Sequence, residues 1–522
     1  MLKKLHGRKL AVCLIGGAMY ALFSAFGWQA EHGGVIWAGG ALLVAALLVW
    51  PIAALLAVLL ERGYTRTLRQ EKTFRAGRAF AFILACYVPM FCVAFPGSFA
   101  YDVPYQLRQV VTGAYSTHHP LLHTLALGGL LQLGRALGDI NLGAALYTAL
   151  QMALLAGCFA LTCGSIARQS GARAAKRAAV FFALYPLNMV MAVNATKDVL
   201  FGGFFALTLA LLNEMQEKPS RGLALKIAAC GALAVMLRNN MAYAALVWLA
   251  LLTIGLRKGE KSAALAMLLA LAVGLCGNAA LKRATRAESG DMSEMLSWPI
   301  QQLARARLYD EDRLTDAEKE AIDELMPGEA WACYDPTISD PVKFEFDTQA
   351  FRADVKKYVG VWLSVGKKCA GTYLDATMAL TYPFFYPYRE YRVSGYYVQM
   401  GMSDAYDAGW CDFDPPESRS LFPRVLASLS WRFGAKGAMQ IPVVGWLFNM
   451  GVIVWTMLFF ALREMYWGRW RRFGTALLPV LLWGTFLLGP VMAGRYIYPF
   501  VCALPVLAAR PGRSVKEAER HG

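Results

Sequence analysis

The chain has 522 residues, of which 57% are hydrophobic and only 17% are charged, well below the charged share of ordinary soluble domains. This composition excludes a soluble globular protein and indicates an all-α polytopic membrane protein. The formal net charge of +16 is distributed by membrane topology, as described below, so no nucleic-acid partner is expected.

Apolar segments long enough to cross a bilayer recur along the chain and predict twelve transmembrane helices. The predicted spans lie near residues 10–29, 35–60, 79–95, 142–166, 178–195, 198–214, 223–237, 241–256, 262–281, 441–462, 474–489 and 494–509. The first span follows a basic segment but lacks a small-residue cleavage site. We therefore expect a retained helix rather than a signal peptide.

The segment at residues 121–138 is apolar but short and glycine-rich, and the positive-inside rule decides its placement. If it lies on the membrane surface, the two termini and the loops on their side, together with Lys226 at the mouth of its helix, hold 28 Lys and Arg residues. The short connections on the other side hold five, namely Arg108, Arg135, Lys197, Arg238 and Arg495. If the segment crossed, the basic loop at 167–177 would move outside and this asymmetry would be lost. We therefore expect both termini in the cytoplasm.

This topology divides the chain into three parts. Residues 1–281 form an N-terminal transmembrane module, which includes a first extracytoplasmic loop at 96–141. Residues 282–440 form one large, mostly helical region outside the membrane. Residues 441–522 form the last three spans and a basic cytoplasmic tail.

Two amphipathic helices are expected in the outside region. One lies in DRLTDAEKEAIDELM and ends before Pro327. The other spans residues 351–368, where one face carries Phe351, Val355, Tyr358, Val359 and Trp362.

An aromatic segment, TYPFFYPYREYRVSGYY, follows at residues 381–397. It suits an interfacial platform or sugar stacking, and equally a packed core without a ligand. Residues 370–388 are nearly long enough to enter the bilayer. One disulfide could form among Cys333, Cys369 and Cys411, with the pairing open.

Asp102 is the only carboxylate between Lys72 and Asp139, and it lies just outside the third predicted span. The same topology brings further polar side chains to the extracytoplasmic ends of helices: His118, His119, Lys197, Asp198, Arg238, Asn239, Asn240, Arg495 and Tyr496. Polar residues belong at helix ends in any case, and Asp198 could simply pair with Lys197. Cations and amides beside a lone acid nevertheless suit an anionic headgroup.

Asp102 with His118 and His119 could also ligate a divalent cation, although adjacent histidines usually point apart. The sequence has no CxxC motif that would indicate a metal. It also has no Walker motif, so hydrolysis of a cytoplasmic nucleotide has no support.

A key acid in an extracytoplasmic loop, followed by a His-Pro-Leu element that opens a surface helix, resembles the GT-C superfamily of integral-membrane glycosyltransferases. It is similar to the protein O-mannosyltransferase and aminoarabinose-transferase branch, where an aspartate precedes an HPPL or PPL motif. The corresponding residues here are Asp102 and His119-Pro120-Leu121-Leu122. The resemblance also takes in Thr196-Lys197-Asp198, SWPIQQLARA at 297–306 and GPVMAGRYIYP at 489–499, which are similar to bacterial families of this type.

The sequence departs from that branch at three points. Val103 stands where the branch usually has a second acid, Leu121 replaces the second proline of HPPL, and two extra helices precede Asp102. These departures concern the branch and the substrate more than the fold.

The resemblance implies transfer of a sugar, with inversion, from a polyprenyl-phosphate donor to a glycan, lipid or protein acceptor. It places the protein in the bacterial inner membrane, with Asp102 as general base. Lys197, Arg238 and Arg495 would stabilise the leaving phosphate, and the other polar residues would make secondary contacts. No soluble cofactor is required.

Two other classes stay open. A flippase for lipid-linked sugars should carry charges along the middle of several spans, whereas here the ionisable groups gather at one end. A polysaccharide polymerase or ligase would share a large outside region with essential arginines, and the order of the acid and His-Pro-Leu favours the GT-C interpretation over it.

Overall fold

The structure is a computed structural model. It describes residues 5–32, 39–62, 74–100, 102–253, 258–387, 398–402, 415–433 and 441–510. Within these ranges the regular elements are α-helices and short 3₁₀ turns, and extended segments pair only as isolated bridges. The predicted all-helical fold class is confirmed.

The described helices before residue 286 form the N-terminal module. They are α1 (Arg8–His32), α2 (Gly39–Arg62), α3 (Ala76–Ala94), α4 (Val103–Thr112), α5 (Leu121–Ala136), α6 (Ile140–Ser170), α7 (Ala172–Leu184), α8 (Pro186–Ala192), α9 (Lys197–Glu217), α10 (Arg221–Leu237), α11 (Asn239–Thr253) and α12 (Lys258–Thr285).

The remaining described helices belong to the hydrophilic region and the C-terminal part. They are α13 (Ser297–Tyr309), α14 (Asp316–Leu325), α15 (Asp340–Lys343), α16 (Thr348–Ala353), α17 (Val355–Lys368), α18 (Ala370–Thr381), α19 (Pro423–Phe433), α20 (Met450–Tyr466), α21 (Trp470–Leu487) and α22 (Tyr498–Ala508). Short 3₁₀ turns lie at Met292–Leu296, Glu311–Arg313, Pro327–Cys333, Tyr382–Phe384, Val444–Leu447 and Gly494–Ile497.

Several helices are long and apolar enough to cross a bilayer, so the molecule is a helical membrane protein. Six described helices meet both criteria: Arg8–His32, Leu42–Glu61, Ala76–Ala94, Ile140–Ser170, Lys197–Glu217 and Glu260–Thr285. The shorter apolar helices include Asn239–Leu252 and Gly494–Ala508.

Helices are present at all twelve predicted span positions, but two of these predictions need correction. The predicted span at 178–195 is divided into α7 and α8 at Pro186, because proline lacks the N–H that would continue the first helix. The predicted span at 441–462 is helical only from Met450. Before it, Pro442 and the left-handed backbone of Val443 (φ 65°) interrupt any longer helix.

Helix α9 lies at the centre of the bundle, where it packs against α6, α10 and α22. Its apolar stretch is 83% buried by protein, so its first turn is held firmly in place. That turn carries Lys197 and Asp198, and Arg495 lies in the 3₁₀ turn just before α22. The bundle core therefore positions three of the predicted site residues.

The hydrophilic region has a core of its own, built around α13, which packs against α14, α17 and α18. Helix α14 coincides with the predicted amphipathic helix and begins with a Thr315–Glu318 capping box. Several hydrogen bonds join the region to the bundle, among them the following two. Trp298 Nε1 donates to Leu487 O at 2.6 Å, and Ser339 N donates to Pro490 O at 2.9 Å.

The prediction of one continuous amphipathic helix at 351–368 is wrong. It breaks at Asp354, whose carboxylate accepts from Lys357 N at 2.9 Å and caps a new helix, α17. Because a new helix starts at this cap, the residues of α17 that face the core differ from the predicted ones. Tyr358 and Val365 are buried, whereas the predicted face residues Val355 and Val359 are exposed.

The beginning of the aromatic segment packs as core. Tyr382, Phe384, Phe385 and Tyr386 are buried in the main hydrophobic cluster, and Trp455 Nε1 donates to Phe385 O at 2.8 Å. The packed-core interpretation therefore holds for these four rings, and α18 ends at Thr381, so residues 370–388 are not one continuous helix. The rest of the segment, residues 388–397, lies outside the described residues.

The disulfide prediction can be checked for one pair of cysteines. Cys333 and Cys369 are both free, the first exposed and the second buried. Pairs with Cys411 lie outside the described residues, as does the predicted tail beyond residue 510.

Candidate active site

Asp102 immediately precedes α4, which begins at Val103 with Pro104 in its first turn. An aspartate at this position usually caps the helix with its side chain. Here the carboxylate makes no cap hydrogen bond, so it is available to groups from other parts of the chain.

The loop before Asp102 is fixed by backbone hydrogen bonds to two distant segments. Ser98 N donates to Val193 O and Ala195 N donates to Ser98 O, both at 2.8 Å, and Phe99 N donates to Gly401 O at 2.9 Å. Because Asp102 and Lys197 each follow these bridged residues closely, the bridge brings the two side chains together.

Asp102 accepts hydrogen bonds from two cations on different helices. Lys197 Nζ lies 2.9 Å from Oδ2, and the Arg495 guanidinium donates to Oδ1 and Oδ2, both at 3.2 Å. His119 Nδ1 is 3.7 Å from Oδ2. Three residues, two of them far from Asp102 in the sequence, thus meet at its carboxylate.

A second ion pair lies deeper, between Asp198 and Arg238. Asp198 is fully buried, with a side chain 0% exposed, and Arg495 Nε is 3.8 Å from its Oδ2. The Arg238 guanidinium lies 4.4 Å from the ring centroids of both Phe486 and Tyr496, a cation–π arrangement.

The alternative in which Asp198 pairs with Lys197 is therefore wrong. Consecutive side chains on a helix diverge by about 100°, so the two neighbours point to different partners. Lys197 meets Asp102, and Asp198 meets Arg238.

The ionised side chains described in this cluster carry a net charge of +1. Burial disfavours the charged form of Asp102, but Arg495 and Lys197 outweigh that effect and hold the pKa of its carboxyl well below the usual range. Burial lowers the pKa of His119 to about 3, although Asp102 opposes that shift, so His119 is neutral at physiological pH. Three cations then face two carboxylates, which favours an anionic ligand.

Three of the predicted polar contacts lie apart from this cluster. The exposed His118 has Nδ1 4.0 Å from Glu294 Oε1, and its ring is at 81° to that of His119. Asn240 Nδ2 donates to Thr485 Oγ1 at 3.1 Å, which ties α11 to α21. Asn239 is exposed at the start of α11. Within the described residues, none of these three side chains makes a hydrogen bond or ion pair with Asp102.

A model of a family of unknown function (DUF6020) matches residues 111–521. The chain belongs to this family. The matched range includes His119, Lys197, Arg238 and Arg495, and it begins shortly after Asp102. No curated protein and no solved structure matches the chain.

The residues around Asp102 in this family member do not fit a divalent-cation site. Both carboxylate oxygens already accept from Lys197 or Arg495, and His118 turns toward Glu294 instead. Across the described residues, no group of three His, Cys, Asp or Glu side chains has a metal-binding arrangement. The donor set suits an anion better than a cation.

A buried polar network next to the site was missed by the sequence analysis. The Gln106 amide and Tyr147 Oη lie 3.0 and 2.9 Å from the two ring nitrogens of His123. Tyr147 donates to Gln151 Oε1 at 3.0 Å, and Gln151 Nε2 donates to Asn194 O at 2.8 Å. The network ties α4, α5 and α6 to the segment before Lys197.

One signal could have identified this network. His123, Tyr147 and Gln151 are polar groups inside otherwise apolar helices, where such groups are costly unless they are paired. Gln106 lies on the buried face of the amphipathic α4. The same test would not have found Ser98, whose position depends on a turn in the loop rather than on a helix face.

Proposed function

We propose that the protein is a GT-C-type glycosyltransferase of the bacterial inner membrane. It would move a sugar from a polyprenyl-phosphate donor to a glycan, lipid or protein acceptor on the extracytoplasmic side. The observation that carries the proposal is the convergence of Lys197 and Arg495 on Asp102, in a cluster of described side chains with a net positive charge.

Twelve membrane crossings, with both termini cytoplasmic, are part of this proposal. Its support is the presence of helices at the twelve predicted positions and the uneven distribution of Lys and Arg between the two sides of the predicted topology. Asp102, Lys197 and Arg495 all lie at helix ends that this topology assigns to one side. A lipid-linked donor could meet them there with its tail still in the bilayer.

The reaction would proceed as an inverting displacement. Asp102 takes the proton of an acceptor hydroxyl while that oxygen bonds to the anomeric carbon, and the bond from this carbon to the phosphate oxygen breaks. Polyprenyl phosphate leaves with the electron pair of the broken bond. Lys197 and Arg495 stabilise the charge that develops on it.

The ion pairs impose an order on these events. A carboxylate held by two cations is a weak base, because its pKa is well below the usual range. A donor phosphate would compete for Lys197 and Arg495 and so relieve their hold on Asp102. Donor binding would thereby raise the basicity of Asp102 before the acceptor reacts.

We assign Arg238 a different role from the one that the resemblance implies. Its guanidinium is paired with the buried Asp198 and packed between Phe486 and Tyr496. It therefore acts as a positioning residue, which holds Asp198 near Arg495. Direct contact with the donor phosphate is assigned to Lys197 and Arg495.

The proposal is tested with full-length protein in proteoliposomes and a panel of polyprenyl-phosphate sugars. Asp102→Asn should lower transfer at least 100-fold with the best donor, within the range for loss of a general base. Asp139→Asn is the matched control, since Asp139 pairs with Arg419 at 2.8 Å outside this cluster. Undiminished transfer by Asp102→Asn would overturn the assignment, and translocation of donor without transfer would favour a flippase.

A further inference from the structure

A second cation-rich site lies at the other end of the bundle, away from Asp102. A cavity of about 280 Å³ is lined by Asn213 and Gln216 of α9 and by the segment from Gly468 to Arg472. Along α9, Asn213 is 16 residues from Lys197, or about 24 Å at 1.5 Å per residue. The cavity is therefore separate from the candidate active site.

Arginines dominate the charge of this cavity. Arg469, Arg471 and Arg472 line it together with one acid, Glu217. Arg471 is exposed and donates to Gln216 O at a long distance of 3.4 Å, so its guanidinium has capacity for further acceptors. Helix α21 begins at Trp470 without a side-chain cap, and a helix N-terminus favours an anion.

Two buried amides on α9 supply an independent indication of a ligand. Asn213 is 5% exposed and Gln216 is 3% exposed, yet their side-chain oxygens have no hydrogen-bond partner within the described structure. A buried acceptor without a partner is costly. An occupant that donates hydroxyl hydrogen bonds would satisfy both oxygens.

We propose that this cavity binds a phosphate group that carries a hydroxylated substituent, with Arg471 and Arg472 on the phosphate and Asn213 and Gln216 on the hydroxyls. A glycerol phosphate headgroup has this chemistry. Trp470 is exposed beside the cavity, as is common where helices meet lipid headgroups, and basic pockets between membrane helices bind anionic lipids. The same phosphate could come from a phospholipid or from a soluble compound.

The experiment measures ligand binding to purified full-length protein. Phosphatidylglycerol is titrated in nanodiscs with phosphatidylcholine as background, and soluble glycerol 1-phosphate is titrated separately, with occupancy read by native mass spectrometry. Selective binding of phosphatidylglycerol assigns the site to lipid, and equal binding of glycerol 1-phosphate assigns it to a soluble phosphate. No binding of either above phosphatidylcholine would overturn the proposal.

Variants locate the bound molecule. Arg471→Gln should weaken binding about tenfold, because it removes a charge-assisted hydrogen bond, and the exposed position keeps the fold intact. Asn213→Asp, which keeps the shape but adds a negative charge, should weaken binding further. Arg221→Gln removes an exposed charge from the adjacent helix end without touching the cavity. An equal loss in Arg221→Gln would show general attraction by basic residues and would also overturn the proposal.

Discussion

Asp102 and Asp198 lie in one cluster of charges but differ in their exposure to solvent. The Asp102 side chain is 23% exposed, more than any of the ionisable side chains that contact it, whereas the Asp198 side chain is 0% exposed. Water can partly solvate Lys197 and Arg495 if Asp102 is neutralised. Arg238 has no such compensation, since it is buried with Asp198.

This difference predicts different losses of stability for two isosteric substitutions. Asp198→Asn should lower the free energy of unfolding by about 3–5 kcal/mol, because it leaves Arg238 as an uncompensated buried charge. Asp102→Asn should cost clearly less stability while abolishing transfer. Unfolding in detergent, followed by intrinsic fluorescence, gives both values. Equal destabilisation by the two variants would contradict separate roles.

Two buried histidines predict how stability depends on pH. Burial lowers the pKa of His119 and of His123 to about 3, whereas the unfolded value is about 6.5. Between these values the unfolded chain binds a proton that the folded protein excludes. Stability is therefore complete above pH 6.5 and falls as the pH decreases, by about 1.4 kcal/mol per unit for each histidine.

The measurement is the unfolding midpoint between pH 7.5 and pH 5. His119→Gln should reduce the slope of stability against pH by about half relative to the wild type, since His123 still contributes. His118→Gln, at the exposed neighbouring position, should leave the slope unchanged. A wild-type midpoint that does not fall toward pH 5 would refute the prediction.

At the scale of elements, the sequence was sufficient to predict where helices form. It was not sufficient to predict where every helix ends or which side chains pair. Apolar runs predicted α9 and α22, and the polar motifs at their starts correctly located Lys197 and Arg495. The break at Asp354 was missed, because a local capping bond outweighed the apolar periodicity of residues 351–368. Lys197 pairs with Asp102 and Asp198 pairs with Arg238. This pairing depends on where the other helices lie, which a single sequence does not specify.

The α5–α6 hairpin supports the site through close backbone contact, and it offers a clean test. A Cβ atom on Gly134 would lie 2.3 Å from Gly143 N and 2.5 Å from its Cα, so neither helix could stay in place. Gly134→Ala should lower the free energy of unfolding by about 1–3 kcal/mol through overpacking. It should also reduce activity, since α5 carries His123 and follows His119.

Gly129 is the control for that substitution. It lies on the same helix, and a Cβ there meets nothing within 4 Å. Gly129→Ala should therefore be neutral or stabilising by up to about 1 kcal/mol, as expected from helix propensity. Equal loss in the two variants would mean that the close approach of α5 and α6 does not limit stability.

For the whole molecule, both proposed sites depend on which side of the membrane each end of the bundle faces. The hydrophilic region contacts the end that holds Asp102, through Thr117 N and Glu288 O at 2.8 Å and through Ser339 N and Pro490 O at 2.9 Å. The arginine-lined cavity lies at the opposite end of α9. The location of one region therefore determines the location of both sites.

Cys333 provides a native reporter of that location, because it is free and exposed in the hydrophilic region. A membrane-impermeant maleimide should modify Cys333 in intact cells, with the modified peptide identified by mass spectrometry. Arg221→Cys, at the cavity end of α10, should be modified only after the membrane is permeabilised. The reverse pattern would place Asp102 in the cytoplasm, where lipid-linked sugars displayed on the outer face could not reach it. The proposed donor would then be wrong even if Asp102 proved essential.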